Sequence, residues 1–120
     1  MKKISLFIWV ILFLVSCAKD ENSNKKICDF TDPIEQLSWL KEIKNSMTNC
    51  SCEMSIMQAT YENQTIFYAA MTDLLCDGYQ TITIYDCDGK VIRAFKNSEL
   101  QGFYEKQTNK KVLYRCKTTP

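Results

Sequence analysis

Six cysteines, two neighbouring carboxylates and one acidic turn are the parts of this 120-residue chain whose types and spacing could do chemistry. Cys50-Ser51-Cys52 places two thiols one residue apart, a spacing suited to a redox pair or to a soft metal. Asp73 and Asp77, close to Tyr79, could act as the acid and base of glycoside cleavage. Asp86-Cys87-Asp88-Gly89 has the opening of a calcium loop but lacks the later ligands, including the terminal Glu of an EF-hand. The chain has no histidine. That removes the usual general base for a serine or cysteine nucleophile and leaves zinc only thiolates and carboxylates. Each motif also has a plainer reading: structural disulfides, loop solubility and a hairpin turn. The plainer readings are the expectation here, with no catalytic residue, no metal and no cofactor assigned.

A seventh cysteine, Cys17, has a different setting. Lys2 and Lys3 form a positive start, and Ile4 to Val15 is an apolar run interrupted only by Ser5. A spanning helix needs roughly 20 apolar residues, so this run has the length of a secretory h-region instead. It ends in Leu14-Val15-Ser16-Cys17, which resembles a bacterial lipobox. The resemblance implies cleavage between Ser16 and Cys17, a diacylglyceryl group on the Cys17 sulfur and an acyl chain such as palmitate on the new amino group. Each buried CH2 contributes about 0.8 kcal/mol, and two or three chains anchor durably where one does not. Ala18-Lys19-Asp20-Glu21 then resembles the export signal of surface lipoproteins in Bacteroidetes-type bacteria. The expected location is therefore the outer membrane, lipid-anchored, at the cell surface or else on the periplasmic face.

Removing residues 1–16 takes Lys2 and Lys3 away and leaves 13 basic against 14 acidic side chains. A near-neutral balance without a basic block argues against nucleic acid as a partner. The 104 residues that remain suffice for one domain with one core. The reading divides the chain into a signal peptide at 1–16, a lipidated cysteine with a flexible tether at 17–31, and a single domain at 32–120. From Ala18 to Lys26 the chain is polar, too poor in apolar surface to offset its ordering entropy. Nine such residues reach roughly 15–18 Å root-mean-square.

The elements that must position the domain's cysteines begin at Asp32. Asp32 can cap, Pro33 fits the first helical position and Glu35 can complete a capping box. The spacing of Leu37, Leu40, Ile43 and Met47 predicts a helix over Pro33 to Met47, with Phe30 as a staple and Trp39 as a core or rim aromatic. Strands are expected at Met54 to Tyr61 and Thr65 to Met71 around a Glu62-Asn63-Gln64 loop. Tyr79 to Cys87 alternates strictly, and Asp88-Gly89 predicts a type I′ hairpin into Val91 to Lys96. Pairing across that turn sets Ile84 opposite Arg93 and Ile82 opposite Phe95. Asn97 to Lys111 reads as polar loop with one helical turn near Ser98, and Val112 to Cys116 as the last strand. The fold class expected is α+β: one N-terminal helix packed on an antiparallel sheet of about five strands, disulfide-stabilised.

Three segments carry a further resemblance. Asp32-Pro33-Ile34-Glu35-Gln36-Leu37-Ser38-Trp39-Leu40-Lys41, the hairpin Gln58-Ala59-Thr60-Tyr61 to Thr65-Ile66-Phe67-Tyr68, and Tyr85-Asp86-Cys87-Asp88-Gly89-Lys90-Val91-Ile92 are similar to a group of small uncharacterised lipoproteins of Bacteroidetes-type bacteria. The likeness covers roughly Asp32 to Phe95. It implies a fold, and beyond Cys17 it carries over no functional residue.

Cys28, Cys50, Cys52, Cys76, Cys87 and Cys116 form an even set in an exported domain, which reads as a disulfide framework with 15 possible connectivities. A hairpin centred on Asn63 brings Cys76 across from Cys50 or Cys52. Cys76 and Cys87 lie at opposite ends of the third strand, roughly 25 Å apart at about 3.3 Å per residue, so they should not pair. A simple meander gathers Cys28, Cys87 and Cys116 at the other end of the sheet. Cys87 with Cys116 is then the second expected bridge, and Cys28 with Cys50 or Cys52 the third. The functional expectation is a non-enzymatic displayed domain that binds a protein or glycan, presenting Tyr61, Tyr68, Tyr79 and Tyr104. The alternatives are an inhibitor of an exogenous protease or lysozyme, or a small hydrolase using Asp73 and Asp77.

Overall fold

The computed structural model describes residues 26–76 and 78–117. The expected signal peptide, Ser16, Cys17 and most of the expected tether lie outside the described residues, as does Asp77. Five antiparallel strands form one sheet: β1 (Met54–Tyr61), β2 (Gln64–Met71), β3 (Ile82–Tyr85), β4 (Val91–Phe95) and β5 (Thr108–Cys116). Their order is β4-β3-β2-β1-β5. The last strand therefore crosses the sheet and pairs with β1 at the far edge.

Side-chain alternation gives the sheet two apolar faces, and each is covered. On one face lie Ala59, Tyr61, Ile66, Tyr68, Ala70, Ile82, Ile84 and Phe95, packed under Leu100 and Phe103. Those two residues belong to α3 (Leu100–Glu105), which follows a short 3-10 turn at Asn97–Glu99. Phe103 stacks on Phe95 at 4.4 Å between ring centres and meets Tyr68 edge-on at 5.2 Å. Tyr61 and Tyr68, expected as exposed binding aromatics, are thus core residues, 4% and 2% exposed. The cause is phase: both share the face of Ala59 and Ile66.

The opposite face carries Ile56 and Phe67 beneath Ile34 and Leu40. These come from two short helices, α1 (Pro33–Gln36) and α2 (Ser38–Ser46), in place of the single expected helix. The break is Leu37, which is extended at φ −106° and ψ 103°. On an unbroken helix Ile34 and Leu40 would point about 120° apart at 100° per residue. The break re-phases the second piece so that both enter the same cluster. Asp32 caps α1 as expected, accepting from the Glu35 amide at 3.3 Å. The reciprocal bond comes from Gln36, whose Oε1 accepts from the Asp32 amide, while Glu35 pairs with Lys41 at 2.8 Å. Nor is α1 the first ordered element. Residues 26–31, expected as tether, lie against the sheet: Lys26 O accepts from the Thr65 amide and the Cys28 amide donates to Thr65 Oγ1, each at 3.0 Å.

The hairpin registers follow the pattern of the sequence. Ile82 faces Phe95 and Ile84 faces Arg93. The turn types are exchanged, however. Glu62 and Asn63, at φ 48° and 62°, make the two-residue type I′ turn between Tyr61 and Gln64. At Asp86 to Gly89 only Gly89 has positive φ, 80°, and the register slips between Ile84 and Tyr85. That is a type I turn ending in a left-handed glycine and a bulge.

Candidate functional site

Three disulfides hold the sheet at its two ends: Cys28–Cys87, Cys50–Cys116 and Cys52–Cys76. The expectation for Cys76 holds with Cys52 as its partner. The other two expected bridges do not form, because β5 runs beside β1 and sets Cys116 opposite Met54. Cys116 is therefore at the end of the sheet where Cys50 and Cys52 lie, and Cys28 and Cys87 are left to each other at the opposite end. Cys50 and Cys52 each bond elsewhere, so Cys50-Ser51-Cys52 is a pair of structural anchors.

The cysteine-rich end carries the ten-residue connection from β2 to β3. Asp73 organises its start. Asp73 Oδ1 accepts from the Leu75 amide at 2.9 Å, and Oδ2 accepts from the Glu53 amide at 3.4 Å. The Cys76 amide donates to Asp73 O at 3.3 Å, closing a turn with Leu74 and Leu75 at its tip. Beside it, Thr72 Oγ1 donates to Glu53 Oε1 at 2.9 Å. Local polarity thus fixes the loop's base, and the Cys52–Cys76 bridge fixes its side. The apolar tip is left in solvent, with Leu74 99% and Leu75 95% exposed, and Tyr79 further along the loop is 95% exposed. Two adjacent leucines are more often core residues, so their exposure could not be read from the sequence.

The other candidate residues take structural roles. Sγ of Cys52, Sγ of Cys76 and a carboxylate oxygen of Asp73 lie within 4.8 Å of one another. The two sulfurs are bonded together, so they are not the thiolates that a zinc site uses. Asp86 Oδ1 accepts from the amides of Asp88 and Lys90, both at 2.9 Å, so that carboxylate holds the turn from within. Asp88 approaches Lys26 at 3.7 Å across the surface. Trp39 packs edge-on against Phe67 at 5.7 Å and directs Nε1 to Cys87 O at 3.4 Å, which makes it a half-buried aromatic at the rim of the core with a satisfied polar tip.

Electrostatic shifts point the same way. The Lys41 ammonium beside Glu35 lowers that carboxyl's pKa, and the Lys96 amide, with Arg93, lowers that of Glu99. Both are exposed surface pairs. Burial pushes the Tyr68 hydroxyl up to about 12, with the bond to Gln107 pulling back. Burial also raises Tyr104, which Gln80 partly offsets. Among the described residues no helix is long and apolar enough to cross a membrane. In the comparisons with known proteins, no family model, curated protein or solved structure matches this chain.

Proposed function

We propose that this chain is a lipid-anchored lipoprotein of the outer membrane, held by acyl chains on Cys17, whose folded domain binds a protein partner through the Leu74–Leu75 loop and performs no catalysis. The observation that carries the reading is the location of that loop. Lys26, the first described residue, is bound at Thr65, beside the β1–β2 turn. The loop leaves β2 after Met71, at the other end of the same strand pair. An eight-residue strand separates the two ends by about 25 Å. A chain tethered through Cys17 therefore carries its exposed leucines on the side away from the attachment point. Two leucines on a turn closed by hydrogen bonds and a disulfide cost little entropy to immobilise, and the exposed Tyr79 further along the loop is of a type enriched among interface hot spots.

The turn also ranks the alternatives. Leu74 and Leu75 occupy the centre of a closed turn, whereas a protease cleft binds extended backbone, so the loop is a better knob than an inhibitor's bait. Asp73 spends its oxygens on backbone amides, which favours an organising role over hydrolysis. A photo-crosslinker at position 74 of the full chain in native membranes should mark one recurring protein, and L74S/L75S should abolish capture of that protein by the native chain. Crosslinks to glycan alone, or an unchanged partner with L74S/L75S, would overturn the reading. Intact mass before and after reduction tests the anchor: three acyl chains, cleavage before Cys17 and a gain of six hydrogens are expected.

A further inference from the structure

At the foot of the exposed loop, on the α3 side of the sheet, Tyr104 of that helix borders a groove of about 380 Å³ over β1 and β2. Met57 and Met71 are the accessible apolar part of its lining, with Tyr68 and Ala70, 2% and 3% exposed, buried beneath, and Tyr104, Gln80 and Lys110 stand around it. Lys110 supplies the one charge in this lining, it is exposed, and among the described residues it makes no ion pair. The groove is thus an apolar slot with an unpaired cation at its rim. Its volume is at the small end of ligand sites, enough for one or two residues.

We infer that this groove receives the C-terminal residue of a partner peptide, an apolar side chain lying against Met57 and Met71 above the buried Tyr68 and Ala70, and the terminal carboxylate meeting the Lys110 ammonium. A C-terminal Leu, Met or Phe carries both groups on one α-carbon, which an internal apolar residue does not. Methionine on the floor adapts to side chains of different shape. Gln80 Oε1 accepts from the Met71 amide at 3.0 Å and Gln80 also bonds Tyr104, so these side chains are held in place beside the cation. The inference rests on the reading of this end of the domain as a protein-binding surface and names the chemistry of the partner there.

The test uses the full chain in detergent micelles with 13C-labelled methionine methyls and the peptide acetyl-Gly-Ser-Leu. The free acid should shift the Met57 and Met71 signals saturably. Its C-terminal amide should bind roughly threefold to fivefold more weakly, the size expected for an exposed ion pair. K110Q should weaken the acid to the level of the amide and leave the amide unchanged. L74S/L75S should retain binding of the peptide, so the groove and the loop can fail separately. Equal binding of acid and amide, no shift at millimolar peptide, or shifts with octanoate and none with peptide would each overturn the proposal.

Discussion

The indole ring of Trp39 lies across the α-carbon of Gly89, so close that a Cβ built there would stand 2.8 Å from two ring atoms. Gly89 also has φ of 80°, where an L side chain is strained by about 1–2 kcal/mol. Glycine is therefore required twice at one position. G89A should destabilise the domain by about 2 kcal/mol or more in urea unfolding, since the ring is pinned by Phe67 and cannot easily retreat. In a double-mutant cycle, W39L should recover the contact share of that loss and leave the backbone share. Additive losses would show that the ring and the turn do not press on each other.

The three bridges close chain segments of very different length. Sequence separations are 66 for Cys50–Cys116, 59 for Cys28–Cys87 and 24 for Cys52–Cys76. On the chain-entropy view, losing either long bridge costs about 4 kcal/mol and losing the short one about 3. C50S/C116S should therefore lower the unfolding midpoint more than C52S/C76S, although the latter pair lies beside the proposed binding loop. A non-reducing peptide map should return the three pairs named here. A peptide joining Cys87 to Cys116 would contradict the placement of β5.

That placement is also where the sequence and the structure part. The β1–β2 and β3–β4 registers were legible because alternating apolar residues leave only one register that buries them. Residues 97–107 were not, because Leu100 and Phe103 are the only buried hydrophobic residues in a polar stretch, one helical turn apart. Yet those two side chains pack over the core of that sheet face, and the segment carries the chain across to β1. Reading the segment as loop turns the sheet into a plain meander, and the meander sends Cys116 to the wrong end. Asp88-Gly89 misled more gently: glycine marked the turn, while the αL tolerance of Asn63 beside Glu62 supplied the type I′ geometry. The candidate site was opaque for a different reason. Leu74 and Leu75 are apolar residues without periodicity, and only the backbone route shows that none of the described residues covers them.

Tyr68 gives the fold a pH dependence of definite sign. Its hydroxyl donates to Gln107 Oε1 at 2.8 Å, and burial raises its pKa from 10.0 to about 12. The unfolded chain thus releases this proton near pH 10 and the folded chain two units later. Stability from this group is intact below pH 10 and is lost as pH rises through 10 towards 12. Tyr61 and Tyr104, also raised by burial, act in the same direction. Y68F should cost about 1 kcal/mol at pH 7, since Gln107 Oε1 loses its donor, and should flatten the alkaline decline. Spectrophotometric titration should show a tyrosine ionising well above the others; a single step near pH 10 would refute the assignment.

Asp73 separates the structural account of the loop from a catalytic one. Its two carboxylate oxygens each accept a backbone amide, Leu75 from within the turn and Glu53 from the neighbouring strand lead. D73A removes both acceptors while the Cys52–Cys76 bridge still closes the loop. The expected result is a loss of about 1 kcal/mol, faster exchange of the Leu75 and Glu53 amides, and no change at the Asp86 turn on the far end of the sheet. Partner capture should weaken, because the leucines are then presented by a looser turn, and D73N should restore it in part, since an amide oxygen still accepts one of the two bonds. A group that worked by exchanging protons would behave otherwise: D73N would be as damaging as D73A, and the loss would appear in turnover of a glycoside or ester substrate with the amide exchange rates unmoved.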